Sequence, residues 1–217
     1  MKRVIAIDGP AGAGKSTVAK IVAEKLGYTY IDTGAMYRGV AWKTLKQSQT
    51  ATDEDILRAV QEIDVRLACT ENGTRVTVDG TDVTQEIRTP EVTHIVSRVA
   101  ALGPVREKMV ELQRAMAADG AIVMDGRDIG TNVLPNADVK IFLTASVEER
   151  ARRRYDEMKE KGYAVNFDDL KREIALRDKQ DSEREISPLR QAEDAVLLDT
   201  TSLSIDEVVT YVLKLSE

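Results

Sequence analysis

Residues 9–16 read Gly9-Pro10-Ala11-Gly12-Ala13-Gly14-Lys15-Ser16 and match the pattern G-x-x-x-x-G-K-[ST] at every position. The apolar run before them, residues 4–7, predicts a buried strand, and apolar residues at helical spacing follow up to Leu26. In such a strand–loop–helix unit, backbone N–H groups and the helix N-terminus face phosphate oxygens. The lysine reaches the outer phosphates and the serine hydroxyl offers an oxygen to Mg²⁺. We therefore expect this phosphate loop (residues 9–16) and the adjoining Thr17 to bind a nucleoside triphosphate, with Ser16 as the metal ligand.

Composition narrows the class of protein. The 217 residues are 42% hydrophobic and 31% charged, which is typical of a soluble globular chain. No apolar run is long enough for a membrane span, and the run at residues 4–7 is too short for a secretory leader, so we expect neither. A net charge of −6 argues against a general binder of nucleic acid or anionic membranes. Cys69 and His94 are the only residues of their types, which excludes an intramolecular disulfide and a Cys/His metal cluster. We expect a cytoplasmic monomer whose partners are small nucleotides.

The remaining chain alternates strand and helix patterns. Further apolar runs at residues 121–124, 139–143 and 195–198 predict a parallel sheet flanked by helices, the α/β core of a P-loop NTPase-type fold. Ser-x-x-Glu capping boxes at Ser146 and Ser204 predict two of the helix starts.

The middle of the chain has a different period. Apolar and polar residues alternate on both sides of Asn72-Gly73, which predicts a small antiparallel insertion over residues 64–83. The chain then reads as one domain, 1–217, with its core over about 1–63 and 84–217.

Two further motifs end predicted strands. Residues 32–38 read Asp-Thr-Gly-Ala-Met-Tyr-Arg after a strand at 28–31, and residues 125–128 read Asp-Gly-Arg-Asp after the strand at 121–124. Because parallel strands end at the same edge of a sheet, both motifs are expected beside the phosphate loop. Asp125 then stands where a Walker-B acid is found, and Arg38 and Arg127 are candidates for holding a second phosphate. The alternative for each motif is an exposed, charged turn.

A third pattern is the helical stripe Phe167, Leu170, Ile174, Arg177, Asp181, Arg184, in which an apolar face continues in register into charged residues. This continuity favours charges that face a ligand. The alternative is a surface ladder of salt bridges. Arg150, Arg153 and Arg154, one predicted helix earlier, form a denser cluster of candidates.

A triphosphate site alone leaves switches, motors and small-molecule kinases open. The guanine-reading N-K-x-D and the D-x-x-G pattern of GTPases do not occur in the sequence, nor does the L-S-G-G-Q of transporter ATPases. Arginines near expected loops and helix starts instead suit a second phosphorylated molecule beside the triphosphate. A phosphate acceptor is already an oxyanion at neutral pH and needs no general base, which leaves His94 free to be an ordinary surface residue.

Taken together, these motifs resemble the bacterial cytidylate kinase family over nearly the whole chain. The resemblance implies transfer of a phosphoryl group from ATP to CMP or dCMP with Mg²⁺, an acceptor-binding insertion at about 64–83 and a helical lid at about 153–167. It makes Arg150, Arg153 and Arg154 the candidates for the lid arginines. Family positions assign Arg38 and Arg127 to the CMP phosphate, with Thr33 also at the CMP site. The remaining CMP contacts assigned by the resemblance are Ser97, Arg106 and Asp128 to cytosine, Arg177 and Asp181 to the sugar, and Arg184 facing phosphate.

From these assignments we expect Lys15, Asp125, Arg127 and Arg184 to carry catalysis, by positioning and by charge neutralisation. Two alternatives stay open. One is a P-loop kinase of another acceptor, such as UMP, AMP or a hydroxyl compound for which Asp125 or Asp128 could act as base. The other is a nucleotide-dependent switch that acts through protein partners.

Overall fold

A computed structural model describes residues 3–48, 50–70 and 73–217 of the chain. At its centre five parallel strands form one sheet: β1 (Val4–Asp8), β2 (Thr29–Asp32), β6 (Ile122–Gly126), β7 (Val139–Thr144) and β8 (Val196–Asp199). They lie in the order β2-β6-β1-β7-β8. The α/β prediction is thus confirmed, and its physical basis is the burial of β1 and β6 on both faces, which accounts for their nearly continuous apolar sequence.

Helices cover both faces of this sheet. Their bounds are α1 (Lys15–Leu26), α2 (Thr33–Gln47), α3 (Asp53–Gln61), α4 (Pro90–Ala101), α5 (Gly103–Ala117), α6 (Val147–Glu160), α7 (Phe167–Glu183) and α8 (Ile205–Leu215). One apolar cluster joins the sheet to α1 and α8 through residues such as Val18, Val22 and Val212. None of these helices is both long enough and apolar enough to cross a bilayer.

The sheet register brings the predicted motifs together. Asp8 pairs with Gly126 at the ends of β1 and β6, and Asp32 pairs with Asp125 at the ends of β2 and β6. Because these strands are parallel, the segments that follow them leave the sheet at the same edge. The phosphate loop, the start of α2 and the segment 126–130 are therefore neighbours.

A second, antiparallel sheet of β3 (Val65–Thr70), β4 (Gly73–Val78) and β5 (Thr81–Asp82) forms the middle of the chain. Its register, with Val65 opposite Val78, confirms the alternating pattern. Asn72 of the predicted Asn-Gly turn lies outside the described residues.

Three local features differ from the sequence patterns or were missed by them. Helix α3 was not predicted; it begins with a capping box in which Thr52 and Asp55 bind each other's backbone N–H groups. Both predicted helix starts are confirmed, with a full box at Ser204; at Ser146 only half of the box forms, because Ser146 accepts from the Glu149 N–H while the Glu149 carboxylate binds Arg153 at 3.0 Å. A π-helical turn at Ile129–Val133 follows β6, where no regular structure was expected.

Candidate active site

The phosphate loop curls tightly between β1 and α1. A Cβ at Gly9 would lie 1.9 Å from the main-chain oxygen of Leu143 on β7, so only glycine fits there. Lys15 is folded back over the loop, 4% exposed, and its Nζ donates to the Pro10 carbonyl at 2.7 Å. Burial lowers the Lys15 pKa, and Arg127 and Arg177 lower it further. The loop thus holds a poorly solvated cation where the outer phosphates of a nucleotide are expected.

The metal-ligand candidates lie next to this lysine. Ser16 Oγ donates to Asp125 Oδ2 at 3.0 Å, and Tyr30 OH donates to Oδ1 at 2.8 Å. Burial and the neighbouring Asp32 raise the pKa of Asp125. A hydroxyl and a carboxylate fixed side by side at a helix N-terminus are the hard oxygen donors that Mg²⁺ takes, alongside nucleotide phosphates. The residues present therefore fit a Mg²⁺ ion held by Ser16 and Asp125.

The acceptor candidates surround the same edge. On α2, Arg38 Nη1 donates to Thr93 Oγ1 at 2.8 Å and to the Ile87 carbonyl at 3.2 Å. Arg127 follows β6, and its Nε donates to Asp181 Oδ2 of α7 at 2.8 Å. Thr33 Oγ1 donates to the main-chain oxygen of Asp125 at 2.7 Å, which ties the start of α2 to the end of β6.

The cations of this edge disfavour one another's charge. Burial lowers the pKa of Arg38 to about 10, and Arg88, Arg154 and Arg127 contribute to that shift. Burial likewise lowers the pKa of Arg177 to about 10, with Arg127 the next largest cause. Asp181 remains ionised among them, because Arg127 and Arg177 outweigh its burial and keep its pKa below the ordinary value. We call this group the cation cluster; it comprises Lys15, Arg38, Arg127, Arg154 and Arg177.

A buried charge network surrounds Asp128, the candidate for base recognition. Asp128 is bound by Arg106 through Nη2, by Arg184 through Nη2 at 3.3 Å and by Asn132 through Nδ2 at 3.1 Å. Arg106 also lies over the Tyr37 ring, 5.6 Å from its centroid. Ser97 is partly buried on α4, one turn after Thr93. The Asp128 carboxylate is thus held by three donors, from Arg106, Asn132 and Arg184.

The helical stripe of α7 does not form the surface ladder that was its alternative. Leu170, Ile174 and Asp181 are buried, and the ion pairs of Asp181 and Arg184 run to Arg127 and Asp128 on another element. Ladder pairs along α7 occur on exposed side chains instead, as between Arg172 and Asp169. The continuity of the stripe therefore reflects a face turned toward the protein.

The three lid candidates on α6 have different surroundings. Arg150 is buried against the phosphate loop. Arg153 binds Glu149 and the Thr200 carbonyl, and a Cβ at Gly14 would lie 3.8 Å from its Nη1. Arg154 is partly exposed and paired with Glu157, and its charge acts on Arg38.

Sequence reasoning missed several residues of the site, Tyr30 and Asp8 foremost. Asp8 accepts from the N–H groups of Ile129 and Gly130, both at 2.7 Å, and so ties the end of β1 to the segment after Asp128. Its position directly after the strand predicted at residues 4–7 was a usable signal. Tyr30 carried none, because it reads as an ordinary strand residue.

The fold and this site define a class, the nucleotide-dependent phosphotransferases with a phosphate loop and a parallel sheet. A shikimate kinase structure from Bacteroides thetaiotaomicron shares the fold with a TM-score of 0.50, at 14% identity over 100% of this chain and 99% of that one. The family model for cytidylate kinase matches residues 5–217, and the chain therefore belongs to the cytidylate kinase family.

Curated relatives agree with that membership. The cytidylate kinase of Bacillus subtilis is 58% identical over 217 residues, covering 100% of this chain and 97% of the relative. That of Carboxydothermus hydrogenoformans is 53% identical over 212 residues, covering 97% and 96%. The resemblance inferred from the motifs is thereby confirmed.

Proposed function

We propose that this chain transfers the γ-phosphoryl group of ATP to CMP or dCMP and releases ADP and CDP or dCDP. The observation that carries the proposal is the buried Lys15 of the phosphate loop beside the arginines of the cation cluster, of which Arg127 and Arg177 lower its pKa while Asp125 raises it. Cations so mutually unfavourable are stabilised by anions of high charge. Two phosphate-bearing ligands meeting at this edge supply that charge, and the family membership agrees.

The transfer needs no protein base. An oxygen of the acceptor phosphate forms the new bond to the γ-phosphorus while the bond from that phosphorus to the β–γ bridging oxygen breaks, and ADP leaves with the electron pair. Lys15, Arg127 and Arg184 neutralise charge in the transition state. Mg²⁺, held by Ser16 and Asp125, supplies further neutralisation of the phosphates when bound.

In the proposal each acceptor contact has its own task. Arg38 and Arg127 hold the CMP phosphate, with Thr33 nearby, while Arg177 and Asp181 bind the sugar. Ser97, Arg106 and Asp128 read the base. ATP binds to the phosphate loop, residues 9–16, and to the adjoining Thr17. Arg153 and Arg154 belong to a lid at about 153–167 that approaches the phosphates.

The preference for cytosine follows from polarity. Cytosine presents a 4-amino donor where uracil presents a carbonyl, so an ionised Asp128 accepts from CMP but faces another acceptor in UMP. An unpaired buried acceptor costs about 1 to 3 kcal/mol, which corresponds to roughly fivefold to 150-fold in kcat/KM. Asp128→Asn should narrow the CMP-to-UMP ratio of kcat/KM. It should also lower both values, because Arg106 and Arg184 lose their charge partner. An unchanged ratio would remove Asp128 from base recognition.

The test of the function is ADP release measured with ATP and Mg²⁺, alone and with CMP, dCMP, UMP or AMP. The proposal requires release that depends on CMP or dCMP and that falls when Mg²⁺ is chelated. Release that does not depend on any nucleoside monophosphate would instead indicate a slow ATPase switch. We expect the enzyme to act as a monomer in the cytoplasm, in pyrimidine nucleotide metabolism.

A further inference from the structure

Arg150 is a charged side chain that the chemistry above does not use. It lies on α6 and is only 3% exposed. Its Nε donates to the Ala145 carbonyl at 2.9 Å, and its Nη1 donates to the Ala11 carbonyl of the phosphate loop at 2.9 Å. A Cβ at Gly12 would lie 3.3 Å from the Arg150 Cβ, so the loop also packs against the stem of this side chain.

The same guanidinium forms a bidentate ion pair with Asp178 on α7. Nη1 donates to Oδ1 at 3.0 Å and Nη2 donates to Oδ2 at 2.6 Å, a two-pronged pair with fixed geometry. The side chains are 4% and 23% exposed, so water screens the pair little. Arg150 therefore connects the triphosphate loop directly to α7.

Asp178 occupies a particular place on that helix. It follows Arg177 and lies three residues before Asp181, the two α7 residues assigned to the acceptor sugar. A rigid helix transmits a shift at one residue to its neighbours, so a displacement of Asp178 moves Arg177 and Asp181 as well. The buried pair thus lies between the phosphate loop, which is proposed to bind ATP, and the α7 residues that are proposed to bind CMP.

We propose that Arg150 and Asp178 are positioning residues that couple the two nucleotide sites, so that occupation of the phosphate loop raises the affinity of α7 for the acceptor. The inference rests on the proposed function. Lys15 Nζ donates to the Pro10 carbonyl. A bound triphosphate attracts the Lys15 ammonium, this hydrogen bond breaks, and the loop next to Ala11 changes its conformation. Arg150 passes that change to Asp178. Because coupling is reciprocal, CMP strengthens binding of the ATP analogue by the same factor.

The experiment measures the Kd of CMP by titration calorimetry, with and without saturating Mg²⁺ and a non-hydrolysable ATP analogue. In the wild type the analogue should lower the Kd by about fivefold or more, within the usual range for coupled sites. In Asp178→Asn the ratio of the two Kd values should fall to within about twofold of one, while the Kd of CMP alone changes by less than about threefold. A role confined to stability would leave the ratio unchanged.

Two further variants keep the result interpretable. Breaking a buried pair on one side is costly, so Arg150→Met combined with Asp178→Leu provides an apolar replacement of the whole pair. It should fold and show the same loss of coupling. The matched control is Lys171→Gln, since Lys171 also joins α7 to α6, through Glu148 at 3.4 Å, but on exposed side chains. Its ratio should equal that of the wild type.

The outcomes separate the two proposals. A wild type that binds no CMP overturns the proposed function. A wild type that binds both nucleotides with a ratio of one, or variants that keep the full ratio, overturns the coupling role of Arg150 and Asp178 and leaves the function intact.

Discussion

At the scale of single residues, Lys15 shows how burial changes an expectation. A loop lysine is expected to be solvated when no triphosphate is bound, but Lys15 is enclosed and bonded to Pro10. Because burial lowers its pKa, the charged amine disfavours the folded state at neutral pH, and its removal should not lower the melting temperature. Lys15→Met should instead reduce kcat, by about 10² to 10³, since the charge acts on the transition state.

Steady-state kinetics at saturating nucleotides and thermal unfolding check this expectation. Lys25→Met, an exposed lysine in the last turn of the same helix, is the matched control and should behave as the wild type. Near wild-type turnover in Lys15→Met would contradict the assignment of the phosphate loop.

Asp8 gives a prediction about pH. Burial raises its pKa to about 6 despite the two backbone N–H donors. Below about pH 4 the carboxyl is protonated in the folded and unfolded chain alike, whereas above about pH 6 it is ionised in both and the folded state bears the cost. Its contribution to the free energy of unfolding therefore falls as pH rises from about 4 to 6, by on the order of 2 to 3 kcal/mol.

Denaturant unfolding across that pH range, for the wild type and Asp8→Asn, measures this contribution as the difference between the two proteins. The control is Asp138→Asn, because Asp138 accepts from the Val4 N–H at 2.7 Å at the other end of the same strand but is exposed. A difference that stays constant with pH would show that Asp8 does not titrate there.

At the scale of elements, two arginines, Arg177 within helix α7 and Arg184 at its C-terminal end, should have opposite effects on the stability of the fold. The Arg177 Nε is buried without a hydrogen-bond partner among the described residues, whereas Arg184 binds Asp128 and the Ser187 carbonyl. Arg177→Met and Arg184→Met should each lower kcat/KM for CMP by about two decades, because the first removes a proposed contact to the acceptor sugar and the second removes a charge that stabilises the transferring phosphate. The first should keep or raise the melting temperature. The second should destabilise the fold by about 1 to 3 kcal/mol, because buried acceptors lose a donor.

Kinetics and thermal unfolding on both variants test this contrast, with Arg172→Met on the exposed side of α7 as control. Wild-type kinetics in both variants would contradict a role of the α7 stripe in substrate binding or catalysis and would leave it a purely structural role. Equal destabilisation would contradict the difference in pairing.

The elements also show what a sequence can and cannot predict. The phosphate loop and its flanking strand and helix follow local rules, so they were predicted from residues 4–26 alone. Helix α3 was missed although Ile56, Ala59 and Val60 lie at helical spacing; its capping box has Asp55 where the usual pattern has Glu or Gln. The Tyr30–Asp125 and Arg150–Asp178 contacts join residues far apart in the chain. No periodicity encodes such contacts, since they depend on how the elements pack.

At the scale of the whole molecule, the antiparallel sheet and the α2–α5 layer share one core. Val65, Val76, Val78 and Val83 are all buried, and they pack in a cluster with Met36 and Val40 of α2. From the sequence, residues 64–83 are an insertion outside a core at about 1–63 and 84–217, with no strand in the parallel sheet. The parallel sheet indeed gains no strand from it. The side chains nevertheless make it part of the interior.

Replacement of residues 64–83 by a short linker should therefore unfold the protein rather than spare ATP binding. Burial of each valine contributes about 1.5 to 3 kcal/mol. The four together approach the usual 5 to 15 kcal/mol of free energy of unfolding of a whole domain.

A milder change, Val78→Ala, separates the packing role of the insertion from its role in CMP binding. Val78 touches α2 where Gly39 follows Arg38, since a Cβ at Gly39 would lie 3.0 Å from Val78 Cγ2. Val78→Ala should thus lower the free energy of unfolding by about 2 kcal/mol and raise KM for CMP more than KM for ATP, with exposed Thr81→Ala as control. A shortened chain that unfolds cooperatively and binds ATP would show that the insertion is dispensable to the core.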